Sequence, residues 1–405
     1  MSSASERHSS VQRTDAARTI VEAAKTLAPV LIERSDEANR LRRMPDATWK
    51  ELIDGGILRA LQPARWGGGE VHLGTFCEAI AEVARADGSA GWVAGIIGVH
   101  PWQVASFPAE TQNDLWAKDP STINSSSYAA TGKAVKVSGG YRLDGRWSFS
   151  TGCDHCEWVV LGAVAGTAKV EGKDLPDLRS FLLPRVDYRI DDNWFVAGLA
   201  GTGSKDIVVE DTFVPAHRSQ SHWDYALGVP LPGWELNPAP LYRLSFGLVF
   251  NYALTASVLG AARGFLDLWT SISRTRKGGY GLNVKEDPFT QRLFAEVSYA
   301  IDTGMLAMRR NCDQMMDAAR AGARLALKDR AAIRYGACRS AQLAVRAVDR
   351  LFEASSGRAI FVDHPLQRRY QDVKAMIGHA YLNADAPAKL YGASEFGVPV
   401  LDATL

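Results

Sequence analysis

Apolar residues recur at helical spacing through the first third of the chain. In residues 15–40 the apolar positions share one face and the charged positions the other, which predicts an amphipathic helix. A short second helix is expected from Pro45-Asp46 to Gly55-Gly56, and a third over residues 73–85. Residues 89–107 are apolar and rich in small side chains, so we expect a buried helix there.

The middle of the chain changes to a period of two and is punctuated by Gly, Asp and Pro. Strands are predicted at residues 135–137, 141–143, 158–164, 180–184 and 207–209. Ser138-Gly139-Gly140 predicts a turn between two of them, and Asp144-Gly145 predicts a second turn. Together these signals indicate a β region from residue 120 to about residue 214.

Helical periodicity returns in the last part of the chain. Residues 217–240 are rich in Pro, Gly and Trp and predict a linker or lid. Long helices are then predicted at residues 246–275, 288–321, 325–355 and 365–384, which implies a bundle. The expected class is α+β. We expect a helical domain over residues 1–119, a β domain over residues 120–225, and a lid or linker with a helical bundle over residues 226–405.

Composition narrows the class of protein. The 405 residues are 46% hydrophobic and 22% charged, with a formal net charge of +1. This balance is ordinary for a globular enzyme and gives no reason to expect nucleic acid or an anionic membrane as a partner. The apolar runs are far shorter than the ~20 residues of a membrane-spanning helix, and the polar N-terminus lacks a secretory pattern. Five scattered cysteines suggest reduced thiols, so a cytoplasmic protein is expected.

Candidate chemistry is concentrated in residues 125–160, SSSYAATGKAVKVSGGYRLDGRWSFSTGCDHCEWVV. Small hydroxyl residues beside bulky aromatics suit a strand end that meets a flat ligand with polar edges, although an ordinary sheet with a Ser-rich turn would have the same pattern. Cys153 and Cys156 form a CxxC without a second ligand pair, so no metal is expected. The chain has no strand–GxGxxG–helix unit, so no nicotinamide-binding domain is evident.

This stretch resembles the middle domain of two-component flavin-dependent aromatic monooxygenases on the acyl-CoA dehydrogenase fold. It is similar to the oxygenase component of 4-hydroxyphenylacetate 3-hydroxylase and to the secosteroid phenol hydroxylases, and the run STGCDH at residues 150–155 is the most specific part. Residues 201–215, 351–357 and 368–381 also resemble segments of that fold, so the similarity covers nearly the whole chain. It implies an N-terminal helical domain, a middle β domain and a C-terminal four-helix bundle.

The resemblance implies an activity and its partners. Reduced FMN, or FADH2, would add O2 to form a C4a-hydroperoxide, which hydroxylates a phenol, ortho to the existing hydroxyl. Because the chain has no nicotinamide-binding domain, the reduced flavin would come from a separate NAD(P)H-dependent flavin reductase. The resembled enzymes also imply a homotetramer that acts on a small aromatic substrate.

The same resemblance assigns roles to individual residues. His100 would face the phenol as a base, and Thr151, where the family usually has Ser, would bring its hydroxyl near flavin N5. The implied catalytic residues are His100, Ser126, Thr151, His379 and Tyr381. The implied cofactor-binding residues are Trp147, Ser150, Thr151, Arg243, Arg274 and Gly357. From the residues alone, His100 would sooner be a core histidine, Arg243 could equally form a surface ion pair, and Arg274 lies in a run of charges that solvent would cover.

Three alternatives remain open at this point. The first is the same flavin chemistry on an indole carbon, a sulfur or an amine nitrogen, none of which needs a phenol-facing base. The second is an acyl-CoA dehydrogenase, but Gly378-His379-Ala380 stands where those enzymes carry a catalytic Glu. The third is a non-catalytic scaffold that kept the fold. The walls of the substrate pocket, which include the expected lid at residues 223–234, cannot be read from the sequence.

Overall fold

The computed structural model describes residues 15–402. Six helices form its N-terminal region: α1 (Asp15–Glu33), α2 (Ser35–Leu41), α3 (Asp46–Asp54), α4 (Leu73–Ala86), α5 (Gly88–Val104) and α6 (Ala109–Trp116). All 17 residues of α5 are buried, as its lack of a polar face predicts. Because this helix has no solvent side, any polar group on it must find its partner inside the protein.

The predicted β region is a single mixed sheet. Its strands are β1 (Asn124–Val137), β2 (Gly140–Ser150), β3 (Trp158–Val170), β4 (Lys173–Pro184), β5 (Arg189–Asp191), β6 (Lys205–Pro215) and β7 (Ser219–Ser221). They lie in the order β5-β6-β2-β1-β3-β4-β7. The neighbours β1 and β3 run parallel, and the other neighbouring pairs are antiparallel. The expected turn between β1 and β2 is present, with Gly139 at φ 79°.

The C-terminal region begins with two short helices, α7 (His222–Leu227) and α8 (Gly233–Leu236). The helices that follow are α9 (Phe246–Thr275), α10 (Pro288–Arg320), α11 (Leu327–Glu353), α12 (Pro365–Met376) and α13 (Asp385–Glu395). Among residues 15–402, no helix is long and apolar enough to cross a membrane.

Two sequence predictions in the first half were wrong. The single helix over residues 15–40 is two helices, because Arg34 turns to pair with Glu51 Oε2 at 2.6 Å while the Ser35 hydroxyl donates to Asp87 Oδ2 at 2.7 Å. The second turn, at Asp144-Gly145, is absent because β2 continues through it. The register against β6 shifts here because Glu210 and Asp211 of β6 together face the single residue Asp144 of β2. The Asp-Gly pair therefore lies opposite a bulge in β6 and not at a hairpin end.

Two predictions in the second half also need correction. The helix expected over residues 365–384 ends at Met376, because His379 adopts an extended backbone at ψ 133° and its Nδ1 accepts a hydrogen bond from Tyr381 N at 3.2 Å. A further helix, α13, follows it. The lid region is also more regular than its composition suggested, since it contains β7, α7 and α8.

Helices that precede the sheet in the sequence and helices that follow it share one hydrophobic core. Residues of α1, α4, α5, α9, α10 and α11 belong to the same buried cluster, whereas the sheet has a core of its own. The three domain boundaries therefore stay a prediction, because the two helical regions are not separately packed. At the centre of the shared core α4 and α9 approach closely, and a Cβ on Gly260 would lie 2.2 Å from the Ala81 carbonyl oxygen.

We expect Gly260→Ala to destabilise the fold by ~1–3 kcal/mol, because the added methyl meets backbone that cannot move aside cheaply. Gly392→Ala in α13 is the matched control, since nothing lies within 4 Å of a Cβ there and glycine weakens a helix interior. Thermal unfolding should show a lower midpoint for Gly260→Ala and an equal or higher one for Gly392→Ala. Equal midpoints for wild type and Gly260→Ala would contradict the close helix contact.

Candidate active site

A chain of hydrogen bonds links the buried helix α5 to the sheet and to α7. His100 Nδ1 lies 3.2 Å from the Tyr128 hydroxyl, and that hydroxyl donates to Gln103 Oε1 at 2.5 Å. Gln103 Nε2 in turn donates to Ser180 Oγ at 3.3 Å, and Ser180 Oγ lies 2.8 Å from His222 Nε2. Five side chains from α5, β1, β4 and α7 are thus held in one network.

The direction of these bonds determines the tautomer of His100. A tyrosine has a single O–H, and here it is committed to Gln103, so the His100 Nδ1–H must donate to the Tyr128 oxygen. His100 Nε2 then carries the lone pair. This atom is buried and has no hydrogen-bond partner among the described residues. Burial also lowers the pKa of His100 to about 3, so the ring is neutral near pH 7. The site therefore presents one buried, neutral acceptor.

Aromatic rings surround this network. Tyr128 lies edge-on to Phe246 and Phe250 of α9, with ring centroids 5.1 Å and 5.3 Å away. Phe250 in turn contacts His379 at 6.0 Å and Tyr381 at 5.2 Å. His100 contacts the Tyr128 ring, whereas His379 and Tyr381 contact the Phe250 ring that packs against it, so the structure brings these three predicted catalytic residues to two adjoining rings.

Tyr381 and His379 are held by different means. The Tyr381 carbonyl accepts from Asn251 Nδ2 at 2.7 Å, and the Arg334 guanidinium lies 5.4 Å from the Tyr381 ring centroid. The His379 ring packs edge-on against Trp92 of α5 at 5.7 Å. Burial lowers the pKa of His379 to about 4 and raises that of Tyr381 to about 12. Both side chains are consequently uncharged near pH 7.

Buried hydroxyl groups cluster where β2 ends. Thr151 Oγ1 lies 2.8 Å from Ser204 Oγ, which itself lies 2.7 Å from Thr202 Oγ1. Ser150 Oγ donates to Ser125 Oγ at 3.1 Å. Ser126 is buried one residue along β1 and forms a hydrogen bond that opposes the burial-induced rise in the pKa of Tyr128. The hydroxyl cluster comprises Ser125, Ser150, Thr151, Thr202 and Ser204, and Ser126 lies beside it on the face of β1 that carries Tyr128.

The backbone at this strand end is strained. Phe149 has φ 67°, a region that bulky side chains rarely adopt, and its ring is 69% exposed. It lies edge-on to Trp194, with ring centroids 6.0 Å apart. Strain of this kind tends to persist at functional sites, where the surrounding structure compensates for it. The strained aromatic residue directly precedes the Ser150-Thr151 pair.

The hydroxyl cluster is tied to the C-terminal helices. Asp372 of α12 accepts a hydrogen bond from Leu199 N at 2.6 Å, and Leu199 has φ 58°. The turn that follows Leu199 brings the Thr202 carbonyl to Gly152 N at 2.9 Å. Burial, together with the nearby Asp87 carboxylate, raises the pKa of Asp372 to about 7. A residue of α12 therefore fixes the segment that carries Ser204 against Thr151.

These residues fit the polar edge of a flavin ring. Hydroxyl groups that can donate or accept match the alternating donors and acceptors of an isoalloxazine. Ser89 Oγ and Asn124 Oδ1 are buried near this cluster without a hydrogen-bond partner in the described chain, so donors and acceptors are available for a ligand. Exposed Phe149 and half-buried Trp194 add apolar surface beside them.

The remaining predicted cofactor residues lie elsewhere. Trp147 is fully buried in the core of the sheet, where its Nε1 donates to the Gly162 carbonyl at 2.7 Å, so the alternation of β2 turns it away from a ligand. Arg243 lies on the lid side and donates to the Trp234 carbonyl at 2.8 Å. Arg274 and Gly357 are exposed near the ends of α9 and α11 and do not join the hydroxyl cluster within this chain.

The CxxC sequence at residues 153–156 lies in the interior of the protein. Cys153 and Cys156 are buried free thiols, and burial raises the pKa of Cys153 to about 12. Across residues 15–402, no group of three or more His, Cys, Asp or Glu side chains is placed to hold a metal ion.

Comparison with known proteins places this site in a family. Residues 14–119 match the acyl-CoA dehydrogenase N-terminal domain, and residues 252–384 match the acyl-CoA dehydrogenase C-terminal domain. The flavin-dependent monooxygenase oxygenase subunit HsaA of Rhodococcus jostii is 39% identical over 378 residues, which are 93% of this chain and 98% of that protein. The chain belongs to the flavin-dependent monooxygenase oxygenase subunits.

Two further comparisons agree with this family. The oxygenase component of an FADH(2)-dependent resorcinol hydroxylase from a Rhizobium species is 30% identical over 89% of this chain and 90% of that protein. The crystal structure of a 3-HSA hydroxylase from a Rhodococcus species superposes with a TM-score of 0.90 at 37% identity, covering 96% of this chain and 99% of that one. The predicted family, fold and enzyme class are confirmed.

Sequence reasoning missed several residues of this oxygenase's site. Tyr128 and Gln103, which orient His100, were not identified, nor were Phe246, Phe250 and Ser204. Tyr128 follows Ser126 by two positions and so shares its strand face, and Gln103 follows His100 by three and so lies on the same side of the helix. Those two spacings could have identified Tyr128 and Gln103 from the sequence. The contacts of Phe246, Phe250 and Ser204 join distant parts of the chain, and no local pattern indicates them.

We expect acid to destabilise this oxygenase partly through His100. An unfolded histidine binds a proton near pH 6.5, whereas His100 in the folded chain does so only near pH 3. Its contribution to stability is therefore complete above pH 6.5 and is lost as the pH falls toward 3. The free energy of unfolding in urea should fall between pH 7 and pH 5 in both proteins. The fall should be smaller in His100→Gln than in wild type, by up to ~2 kcal/mol. Equal losses would mean that His100 is not buried and neutral.

Proposed function

We propose that this oxygenase hydroxylates a phenol ortho to its hydroxyl group, with His100 as the residue that receives the phenolic proton. One observation carries the proposal: His100 Nε2 is a buried, neutral acceptor without a partner in the described structure, held in that tautomer by Tyr128 and Gln103. A phenol O–H is the complementary donor. The aromatic rings of Phe246 and Phe250 supply flat apolar walls for a substrate ring.

The strength of this base sets how it can act. With a pKa of about 3, His100 cannot ionise a bound phenol whose own pKa is ~10. The phenol therefore binds protonated and donates a hydrogen bond to Nε2. As oxygen is transferred and the ring becomes electron-deficient, the phenol becomes a much stronger acid, and His100 can then take the proton. The low dielectric that weakens the base also strengthens this hydrogen bond.

Reduced FMN or FADH2, when bound, supplies activated oxygen from O2, and the chain supplies position and dryness. Thr151 and Ser150 of the hydroxyl cluster, with Ser126 beside them, would hold the flavin's polar edge, and the Thr151 hydroxyl would lie near N5. Thr151 is held from behind by Ser204 at 2.8 Å, so its hydroxyl has a fixed place. His379 and Tyr381 would close the side opposite the sheet.

The sequence and the surface of this chain support a reductase partner and a homotetramer. Without a nicotinamide-binding sequence, it would depend on a separate NAD(P)H-dependent flavin reductase for reduced flavin. A homotetramer is supported by exposed apolar side chains on α10, where Phe289, Tyr299 and Leu306 are 73%, 76% and 65% exposed. In such an assembly, Arg274 and Gly357 would contact the flavin of a neighbouring subunit. We place the enzyme in the cytoplasm.

The decisive variant is His100→Gln. Removing the base should lower the yield of hydroxylated phenol per O2 consumed by about 100-fold. Reduced flavin would still react with O2, so hydrogen peroxide should account for the missing oxygen. Tyr128→Phe frees the Nδ1 side and should lower the yield less, by about tenfold, because part of the ring then adopts the wrong tautomer. An unchanged yield of hydroxylated phenol in His100→Gln would show that His100 does not receive the phenolic proton.

A second variant pair tests the hydroxyl near the flavin. Thr151→Ser keeps the group bonded to Ser204 and should retain the product yield to within about threefold, whereas Thr151→Ala should lower it about tenfold by removing one fixed donor. Fluorescence titration of each protein with oxidised FMN gives a readout independent of turnover. If Thr151→Ala matched Thr151→Ser in both FMN affinity and yield, the hydroxyl would have no role toward the flavin.

A further inference from the structure

The hydrogen-bond network of His100 ends at a second histidine, which lies in the lid. His222 is the first residue of α7, and its Nε2 lies 2.8 Å from Ser180 Oγ. The short strand β7, which ends just before His222, pairs with β4 and places Gln220 opposite Ser180. This pairing brings the start of α7 beside the same serine. The proposed phenol chemistry uses neither His222 nor Ser180.

The His222 ring is held by its neighbours and is uncharged. Its ring centroid lies 5.3 Å from that of Phe246, 6.2 Å from Tyr128 and 6.4 Å from Tyr225. Burial lowers the pKa of His222 to about 4, and the nearby Arg179 guanidinium of β4 adds to the effect. The ring is therefore neutral near pH 7, so one ring nitrogen is a donor and the other an acceptor.

The bonds of this network all run in one direction. Gln103 presents its carbonyl Oε1 to Tyr128 and its Nε2 to Ser180. Because Ser180 Oγ accepts from Gln103, its single O–H donates to His222 Nε2, which must carry a lone pair. Each side chain thus donates to the next, in the order His100, Tyr128, Gln103, Ser180, His222.

The same five side chains can also form every bond in the opposite direction. A hydrogen on His222 Nε2 would donate to Ser180, whose O–H would then donate to the carbonyl of Gln103. With the Gln103 amide turned by half a rotation, its Nε2 would donate to Tyr128, and the tyrosine O–H would donate to His100 Nδ1. His100 would then carry its hydrogen on Nε2. Only the observed direction leaves that atom able to accept from a phenol.

We propose that His222 is a positioning residue for the base: by accepting from Ser180 it fixes the direction of the network and keeps the lone pair of His100 on Nε2. This inference rests on the proposed function, which needs that lone pair for the phenolic proton. It also links the base to the lid, because Ser180 loses its acceptor whenever α7 moves away from β4. His100 would then be correctly oriented only while the lid lies against the sheet.

The direct test is the tautomer of His100, which does not depend on turnover. Magic-angle-spinning NMR of the full-length protein, labelled with ¹⁵N in its histidine rings, reports it, and the His100 signals are those lost in His100→Gln. In wild type the hydrogen should be on Nδ1. His222→Phe keeps a ring but has no acceptor, so the tautomer ratio should shift about tenfold toward Nε2–H, as one lost buried hydrogen bond predicts. A wild-type hydrogen on Nε2, or an unchanged ratio in His222→Phe, would overturn the proposal.

Two matched variants separate the acceptor from the lid. His222→Gln offers a carbonyl oxygen to Ser180 and should keep the wild-type tautomer ratio to within about threefold. Tyr225→Phe removes the hydroxyl of α7 that lies 2.5 Å from Ser106 Oγ, but it leaves every bond of the network in place, so the ratio should not change. A shift in either variant as large as that in His222→Phe would contradict the proposal.

Ligand binding to the flavin-free protein gives a second readout. A lone pair on His100 Nε2 favours para-cresol, whose hydroxyl can donate, whereas an Nε2–H can donate to the oxygen of the methyl ether of para-cresol. The affinity for para-cresol relative to its methyl ether, measured by calorimetry, should therefore fall about tenfold in His222→Phe and stay unchanged in Tyr225→Phe. Equal relative affinities in wild type and His222→Phe would contradict the proposal.

The proposed function and this inference fail in different ways. If His222→Phe shifted the His100 tautomer while His100→Gln kept the wild-type yield of hydroxylated phenol, only the proposed function would be wrong. If His100→Gln lost that yield while His222→Phe changed neither the tautomer nor the preference for para-cresol, only the role of His222 would be wrong.

Discussion

Helix α5 has no face toward solvent, and the site is organised around that constraint. Each ring nitrogen of a histidine on such a helix needs a hydrogen-bond partner, which is either another buried group or a bound ligand. Tyr128 and Gln103 satisfy one nitrogen of His100 and leave the other without a partner in the described chain. Burial therefore sets the charge, the tautomer and the available atom of the same side chain. A charged imidazole would have no lone pair to accept a hydrogen bond, and a freely rotating one would not present a fixed acceptor atom.

The second constraint is that three parts of the chain must meet at one place. The sheet contributes Thr151 and its neighbours, α5 contributes His100, and α12 contributes Asp372, which holds Leu199 N at 2.6 Å. The turn after α12 then brings the His379 ring to Phe250 of α9, with ring centroids 6.0 Å apart.

Sequence reasoning predicted much of the fold and part of the site. The bounds of α9 were predicted as found, because a long apolar stripe with Ser245 before it leaves little ambiguity. Asp144-Gly145 was predicted as a turn and instead lies opposite a bulge in β6, because Asp-Gly occurs at hairpins and beside bulges alike and only the register against β6 distinguishes them. Trp147 was placed beside the flavin, whereas strand alternation buries it in the core of the sheet. In the sequence Tyr128 is an ordinary aromatic residue of a strand, and its role is visible only from its contacts with His100 and Gln103 of α5.

The most direct test of the account is a single turnover without any reductase. The oxygenase would be loaded anaerobically with reduced FMN and a phenol, then mixed with isotopically labelled O2, and the products analysed by mass. The account predicts a catechol that carries one labelled oxygen atom, in a yield approaching one per bound flavin. Labelled hydrogen peroxide with unchanged phenol, across a panel of phenols of different sizes, would contradict it.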